Sequence, residues 1–200
     1  MKRILVIGED ALCCALAERL VAVCLPGWGL ARSSIDTKGV TKLVPALRRY
    51  VEQARYVQPV LCIADTDGQC AATLRSTWLQ GIEHDRFVLR LAQTEAESWV
   101  LADREGFAKA LAVPLSKLPQ NPDEECDPKR LLLNLVRRSK ERILRNEVVS
   151  ATDPSKPGTG YNLHLVAFVR KHWSVRRAAQ FSPSLDRALN RIRALDAKLG

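Results

Sequence analysis

Val60-Leu61-Cys62-Ile63-Ala64-Asp65-Thr66-Asp67-Gly68 is an unbroken apolar run that closes on two acids, one residue apart, and a glycine. A short apolar run bounded by a turn signal predicts a strand buried on both faces, of the kind that a parallel sheet carries at its centre. Working back, Arg3 to Ile7 is a second such run, ended by Gly8-Glu9-Asp10. Ala11 to Val23 then places Leu12, Leu16, Leu20 and Val23 at helical spacing. Pro26 and Gly27 end that unit, Trp28 to Ser33 predicts another short strand, and Val40 to Tyr56 returns to helical spacing through Leu43, Leu47 and Val51. Working forward, Cys70 to Gln80 reads as helix, Arg86 to Ala92 as a fourth strand, and a further helix is expected around Glu97 to Ala112. Strands alternating with helices predict an α/β fold: a parallel four-stranded sheet with helices on its faces, for which 2-1-3-4 is one order to consider.

Beyond Pro114 the pattern changes. Pro119, Pro122 and Pro128 punctuate a polar stretch, and Lys129 to Arg145, Leu163 to His172 and Leu185 to Leu199 all read as helix. Ser182-Pro183-Ser184 has the form of a helix start with proline in the first turn, and Asp153 to Asn162 is a Pro/Gly/Ser/Thr loop. The expected organisation is an α/β domain over residues 1–113 and a basic helical region over 114–200 packed on it.

The chain has 200 residues, of which 46% are hydrophobic and 26% charged, enough to bury a core and to exclude wholesale disorder and low-complexity classes. The run Ile4 to Ile7 is too short for a signal-peptide core, and no stretch approaches the length needed to span a bilayer, so a cytoplasmic protein without a membrane partner is expected. Cys13, Cys14, Cys24, Cys62, Cys70 and Cys126 lack metal-knuckle or redox spacing and read as reduced core thiols. The net charge of +9 is unevenly placed. Residues 1–128 carry 15 Lys+Arg against 17 Asp+Glu, and residues 129–200 carry 16 against 5. A basic half points to an anionic partner, nucleic acid first, with a solvated helical face as the plain alternative.

In an open parallel sheet, ligands bind beyond the carboxyl ends of the strands, where connections leave in opposite directions. With the order 2-1-3-4, Glu9 and the pair Asp65 and Asp67 come from neighbouring strand ends, and Glu97 follows the fourth strand. Carboxylates gathered in this way repel unless a cation neutralises them, and hard oxygen donors suit Mg²⁺ or Mn²⁺. Such a site can polarise a phosphodiester and activate water. The plain alternative is that these acids cap helices or form a turn. Glu95 and Glu97 do not share a helix face, and Glu97 is preferred. Gly8-Glu9-Asp10-Ala11-Leu12 lacks G-x-G-x-x-G and puts acids where a dinucleotide phosphate would bind; a Walker A motif and a flavodoxin-type Ser/Thr loop are also missing. A receiver-type phosphoacceptor stays open, but the lysine after a fifth strand that it needs is not evident.

Gly8-Glu9 followed by Asp65-Thr66-Asp67-Gly68 in this frame resembles the Toprim domain of primases, topoisomerases and OLD-type nucleases, over roughly residues 1–92. Thr94-Glu95-Ala96-Glu97-Ser98-Trp99-Val100-Leu101-Ala102-Asp103, Asn121-Pro122-Asp123-Glu124, Gly158-Thr159-Gly160-Tyr161-Asn162 and Ser182-Pro183-Ser184-Leu185 together resemble an uncharacterised Toprim-related bacterial family. Its members are thought to be encoded beside ABC-type ATPases, in settings that suggest phage defence. The resemblance implies that Glu9 is a metal ligand or general acid/base and that Asp65 and Asp67 hold Mg²⁺; a ligand role for Glu97 is inferred from its place in the second motif. No lysine stands out at the approach to the active centre, where OLD-type enzymes carry one.

Lys129, Arg130, Arg137, Arg138, Lys140, Arg142 and Arg145 punctuate the first basic helix, and Arg170-Lys171-His172-Trp173 with Arg176-Arg177 mixes cations and an aromatic ring. Arg137, Arg138, Arg142, Lys171, His172, Arg176 and Arg177 are the candidate nucleic-acid contacts, since phosphate neutralisation supplies most non-specific affinity. Trp173 reads as core rather than as a base-stacking platform, and the Gly158 to Asn162 loop as a connector. The expected function is a Mg²⁺- or Mn²⁺-dependent nuclease cleaving DNA or RNA, the effector of an ATPase-controlled antiphage system. The alternative is a non-catalytic nucleic-acid-binding or regulatory subunit of an ABC-type ATPase complex, with a phosphorylation switch as a third reading. Oligomeric state is left open, a homo-oligomer included.

Overall fold

The computed structural model describes residues 2–199. Within them, β1 (Arg3–Gly8), β2 (Gly29–Leu30), β3 (Ile35–Asp36), β4 (Val60–Asp65) and β5 (Phe87–Ala92) form one sheet in the order β2-β1-β4-β5, with β3 also pairing β1. All pairings are parallel. Val6 lies opposite Leu61 and Asp65 opposite Ala92, so β1, β4 and β5 end near one edge of the sheet. The strand expected at 28–33 is present only as the two residues of β2, and β3, beyond that span, was not expected; the two pair with opposite ends of β1. Between them Ser34 Oγ donates to Glu18 Oε1 at 2.6 Å, tying the intervening chain to α1 (Ala11–Cys24).

Side-chain alternation divides the core in two. Leu5, Ile7, Val60, Cys62, Leu89 and Leu91 face one side, with Leu43, Leu47 and Val51 of α2 (Val40–Tyr56) and Leu74 and Leu79 of α3 (Ala71–Leu79). Ile4, Val6, Leu61, Ile63, Val88 and Ala92 face the other side, under α1 (Ala11–Cys24) and α4 (Ala96–Ala102). This second cluster continues through α6 (Pro128–Val136), α8 (Tyr161–Lys171), α9 (Val175–Ala178) and α10 (Pro183–Leu199). Fully buried Trp99 and Trp173 lie in this cluster, where Trp173 Nε1 donates to the Trp99 carbonyl at 3.0 Å. Trp173 is a core residue, as its sequence context implied.

Two expected helices are broken by polar anchors. The segment expected around 97–112 forms α4 and α5 (Arg104–Ala110), because Asp103 leaves the helix and accepts from Gly106 N. The single helix expected over 129–145 is α6 and α7 (Arg142–Val148). At the break, buried Ser139 donates to the Leu111 carbonyl at 2.6 Å, and Lys140 N donates to that of Ala112 at 3.0 Å. Cys13, Cys14, Cys24 and Cys62 are buried, but Cys70 and Cys126 are exposed, a correction to the reading of all six as core thiols. Both exposed cysteines lie in polar turns, Cys70 beyond Gly68 and Cys126 within Glu125-Cys126-Asp127. No helix among the described residues is long and apolar enough to cross a membrane.

Gly8 ends β1 under a tight constraint: a Cβ there would lie 2.5 Å from Cys14 N and 2.7 Å from Cys14 Sγ and the Asp10 carbonyl. Much of that contact is backbone, which cannot swing aside. Gly8→Ala is therefore expected to cost about 1–3 kcal/mol, read as a lower urea midpoint with an unchanged slope. An unchanged midpoint would show that the turn into α1 is looser than its geometry indicates.

Candidate functional site

The parallel register places Glu9 and Asp65 side by side at the carboxyl edge of the sheet. Glu9 follows β1 directly, and its Oε2 accepts from Asp65 N at 3.2 Å. The helix-capping role open to these acids falls to Asp10, whose Oδ1 accepts from Cys13 N at 2.8 Å in the first turn of α1. Glu9 is left out of the cap. Asp65 Oδ1 accepts from Ala96 N at 2.8 Å and from Cys13 Sγ at 3.8 Å, so Asp65 ties the end of β4 to the start of α4. Asp67 is exposed in a left-handed turn (φ 47°), with its N–H donating to the Thr94 carbonyl at 2.8 Å. A left-handed conformation is tolerable for aspartate, so a turn role for Asp67-Gly68 holds beside any ligand role.

Glu97 is 2% exposed and lies within the electrostatic reach of Asp65. It is met by two groups that the sequence reading did not assign. Tyr161 donates its hydroxyl to Glu97 Oε1 at 2.6 Å, and Lys129 Nζ stands 3.6 Å from the same oxygen. Lys129 also bonds Glu95 twice: Nζ to Oε1 at 3.1 Å and the backbone N–H to Oε2 at 2.8 Å. A lysine therefore does stand among the acids, contributed by the first turn of α6. Its signal in the sequence was Asp127-Pro128-Lys129, a capped helix start in which Asp127 Oδ1 accepts from Arg130 N. That pattern locates the helix but not what it touches. Tyr161 lay in the glycine loop read as a connector. The close approach of Gly158 and Gly160 to Glu147 shapes the turn into α8, since a Cβ at Gly160 would come 2.8 Å from the Glu147 Cβ.

Negative charge outweighs positive here. Burial raises the Asp65 carboxyl well above its ordinary range, and the charges of Glu97, Glu9 and Asp10 add to this against Lys129. Burial also raises Glu9, opposed by the Asp65 N–H, with Asp67 and Asp10 pushing further up. Glu97 is raised by burial, against the pull of Lys129 and the Tyr161 hydroxyl. Burial alone would lower Lys129, but Glu97 and Glu95 outweigh it and hold the ammonium above its usual value. One cation among these six acids leaves the carboxylates under-neutralised.

As to a metal, no group of three or more His, Cys, Asp or Glu side chains is arranged to hold one among the described residues. Mg²⁺, however, is commonly held by one or two carboxylates together with water and substrate phosphate. The pair Glu9 and Asp65 fits that demand in donor chemistry and in its raised proton affinity. The hydrogen bonds on Asp65 both fall on Oδ1, which leaves Oδ2 as a donor. Cavity size does not single this place out, since a cleft of about 370 Å³ lined by Lys2, Arg3, Pro59 and Arg86 opens at the opposite, amino edge of the strands.

The expected nucleic-acid contacts do not form one surface. Arg137 and Arg138 line a cleft of about 380 Å³ with Lys117, and Arg142 is exposed at the start of α7. Eight residues of rise separate Lys129 from Arg137, about 12 Å along α6. Lys171 at the end of α8, His172 just beyond it and Arg176 in α9 are exposed, with His172 in a separate cleft of about 440 Å³ beside Lys109. Arg177 is committed elsewhere: Nε and Nη2 bond the fully buried Asp103 at 2.6 and 2.9 Å.

The motifs that carry the second resemblance meet one another in space. Glu97 of the first is bonded by Tyr161 of the third. Asp123 accepts from Ser182 Oγ at 2.8 Å and Ser184 N at 2.7 Å, and Ser184 Oγ accepts from Trp99 Nε1 at 2.7 Å. Asp123, Ser182 and Ser184 thus clasp the helical region to α4, beside the acids rather than among them. Comparison of the chain with protein-family models, curated proteins and solved structures finds no match.

Proposed function

We propose that the chain is a Toprim-like, divalent-metal-dependent nuclease cleaving the phosphodiester bonds of DNA or RNA, with Glu9 and Asp65 as its central residues. The observation that carries this reading is the hydrogen-bonded pair Glu9 and Asp65 on adjacent strand ends, with proton affinities raised by burial and by surrounding acids. In this reading Glu9 and Asp65 would together hold the cation, with Asp67 beside them as a further oxygen donor, and Glu9, more basic than an ordinary carboxylate, takes the proton of the attacking water. Lys129, held by Glu95 and Glu97, presents positive charge to a phosphate, and Tyr161 fixes Glu97 for that purpose. A bound Mg²⁺ would supply polarisation of the phosphodiester and a lowered pKa for water. An ABC-type ATPase partner, with a role in antiphage defence, is carried by the motif resemblance.

A second reading rests on the exposed cations Arg137, Arg138, Arg142, Lys171 and Arg176 of the helical region. In it the chain binds nucleic acid or an ATPase without cutting. Cleavage assays on single-stranded DNA, duplex DNA and RNA with Mg²⁺ or Mn²⁺ separate the two. Wild type is expected to cut at least one of these substrates, and Glu9→Gln, which keeps an acceptor for Asp65 N, to cut it about 100-fold more slowly or worse. Cleavage by neither protein, with and without the ATPase, would leave only the binding role.

A further inference from the structure

We propose that Arg90, Arg187 and Arg191 form a phosphate-binding subsite at the free edge of the sheet, occupied by a backbone phosphate of a nucleic-acid strand. The nucleic-acid occupant rests on the phosphodiester reading above, whereas the phosphate chemistry stands on the arginines themselves.

Strand β5 is the sheet edge, paired only with β4, and α10 packs against it. Val88 and Ala92 point into the core shared with Leu189 and Ile192 of α10. Alternation puts Arg90 between them on the same face, where the pattern calls for an apolar residue. Arg90 is half-buried, and its Nε reaches neither solvent nor a hydrogen-bond partner. The groups acting on its charge are other cations, Arg187 and Arg191 of α10 and Arg75 of α3. Arg187 and Arg191 are four apart on one helix and share a face. Arg75 is matched by Glu83 at 2.8 Å, but no ion pair or side-chain hydrogen bond engages Arg90, Arg187 or Arg191 among the described residues.

A half-buried guanidinium surrounded by like charge destabilises the fold unless an anion enters. The planar donor fork of arginine matches phosphate oxygens bidentately, so phosphate is the chemistry that best reverses this cost. Room is available: a cleft of about 340 Å³ opens beside the cluster, lined by Arg75, Arg191, His84 and Phe87 together with the acids Glu83 and Asp85, of which Glu83 pairs with Arg75. Position selects a nucleic-acid strand. Arg90 lies two residues, about 7 Å, before Ala92, whose register partner is Asp65. The cleft opens near Phe87 at the amino end of β5 and Arg90 lies between it and the acids, so a strand continuing from the acids along β5 would pass these arginines.

The test measures binding of a fluorescein-labelled single-stranded DNA oligonucleotide by anisotropy across a salt series in EDTA, where cleavage does not enter. Arg187→Gln/Arg191→Gln and Arg90→Met are each expected to lower the salt slope by about one for every phosphate no longer neutralised, and to weaken low-salt binding about tenfold. Inorganic pyrophosphate is expected to raise the melting temperature of wild type and not of the double variant. Without ligand, Arg90→Met is expected to melt at or above wild type, because an unpaired charge is gone; the double variant lies on α10 outside the core and serves as the second probe. Unchanged slopes with an unchanged pyrophosphate response in both variants would overturn the subsite. A pyrophosphate response without oligonucleotide binding, or displacement by polyglutamate as strong as by DNA, would overturn the nucleic-acid occupant. Arginine-dependent binding by a protein that never cleaves would sink the nuclease reading and leave this one standing.

Discussion

Asp65→Asn is expected to raise the melting temperature of the metal-free protein while it removes divalent-metal-dependent cleavage. Burial, Glu97 and Glu9 raise the folded-state pKa of Asp65 well above its ordinary value of 3.8. A raised carboxyl favours the folded state in its neutral form, so its contribution is fully present below the ordinary value and is lost as pH rises through the folded one. Above the folded value the wild-type carboxylate is charged and the fold bears the full repulsion. Asparagine is neutral throughout and keeps an acceptor for Ala96 N. The gain in melting temperature should therefore be largest at alkaline pH and vanish toward about pH 4, each kcal/mol being about 2–4 °C in a chain of this size. Cleavage should fall about 100- to 1000-fold, the loss that follows removal of one preorganised electrostatic group. Thermal melts in EDTA across pH, beside cleavage rates with Mg²⁺, check both halves. A variant that melts below wild type at alkaline pH would mean that the Asp65 charge is satisfied without a cation.

Arg177→Met should have the largest effect on stability of any single basic substitution discussed. Asp103 is fully buried and accepts from Arg177 Nε and Nη2, Ser174 N and Gly106 N, so one carboxylate joins α5, the start of α9 and the helical region. Removing the guanidinium leaves that charge to two backbone donors, at a cost of about 3 kcal/mol, the low end because the arginine is itself 40% exposed. Melting should fall by about 6–12 °C, and Arg177→Lys should recover only part of it, since lysine cannot reproduce the bidentate fork. A variant that melts like wild type but loses nucleic-acid affinity would return Arg177 to the contact surface where its sequence context placed it.

The sheet was legible because its signals are local. Val60 to Ala64 and Ile4 to Ile7 are apolar runs that only a two-faced burial accommodates, Arg86 to Ala92 is a third interrupted by Arg90, and the alternating helices imply a parallel sheet. Glu9 and Asp65 were legible for the same reason, since acids directly after adjacent strands have one place to go. What escaped depends on contacts distant in sequence. Ser139 breaks a continuous amphipathic pattern by bonding Leu111, nearly thirty residues earlier. Lys129 looks like any basic residue at a helix start until the 113–127 connection brings it onto Glu95 and Glu97. Arg177 lies in a basic run whose chemistry is decided by Asp103, and Arg90 sits in a strand whose edge position is invisible until α10 folds over it.

The proposed chemistry depends on Glu9 and Asp65 together holding a divalent cation. Isothermal titration calorimetry of Mg²⁺ and Mn²⁺ into wild type, Glu9→Gln and Asp65→Asn, all confirmed folded by circular dichroism, tests this without reference to any substrate. Saturable binding to wild type near one ion per chain is expected, lost or weakened about tenfold or more in each variant. Binding that is absent from wild type, or equally strong in all three proteins, would contradict it.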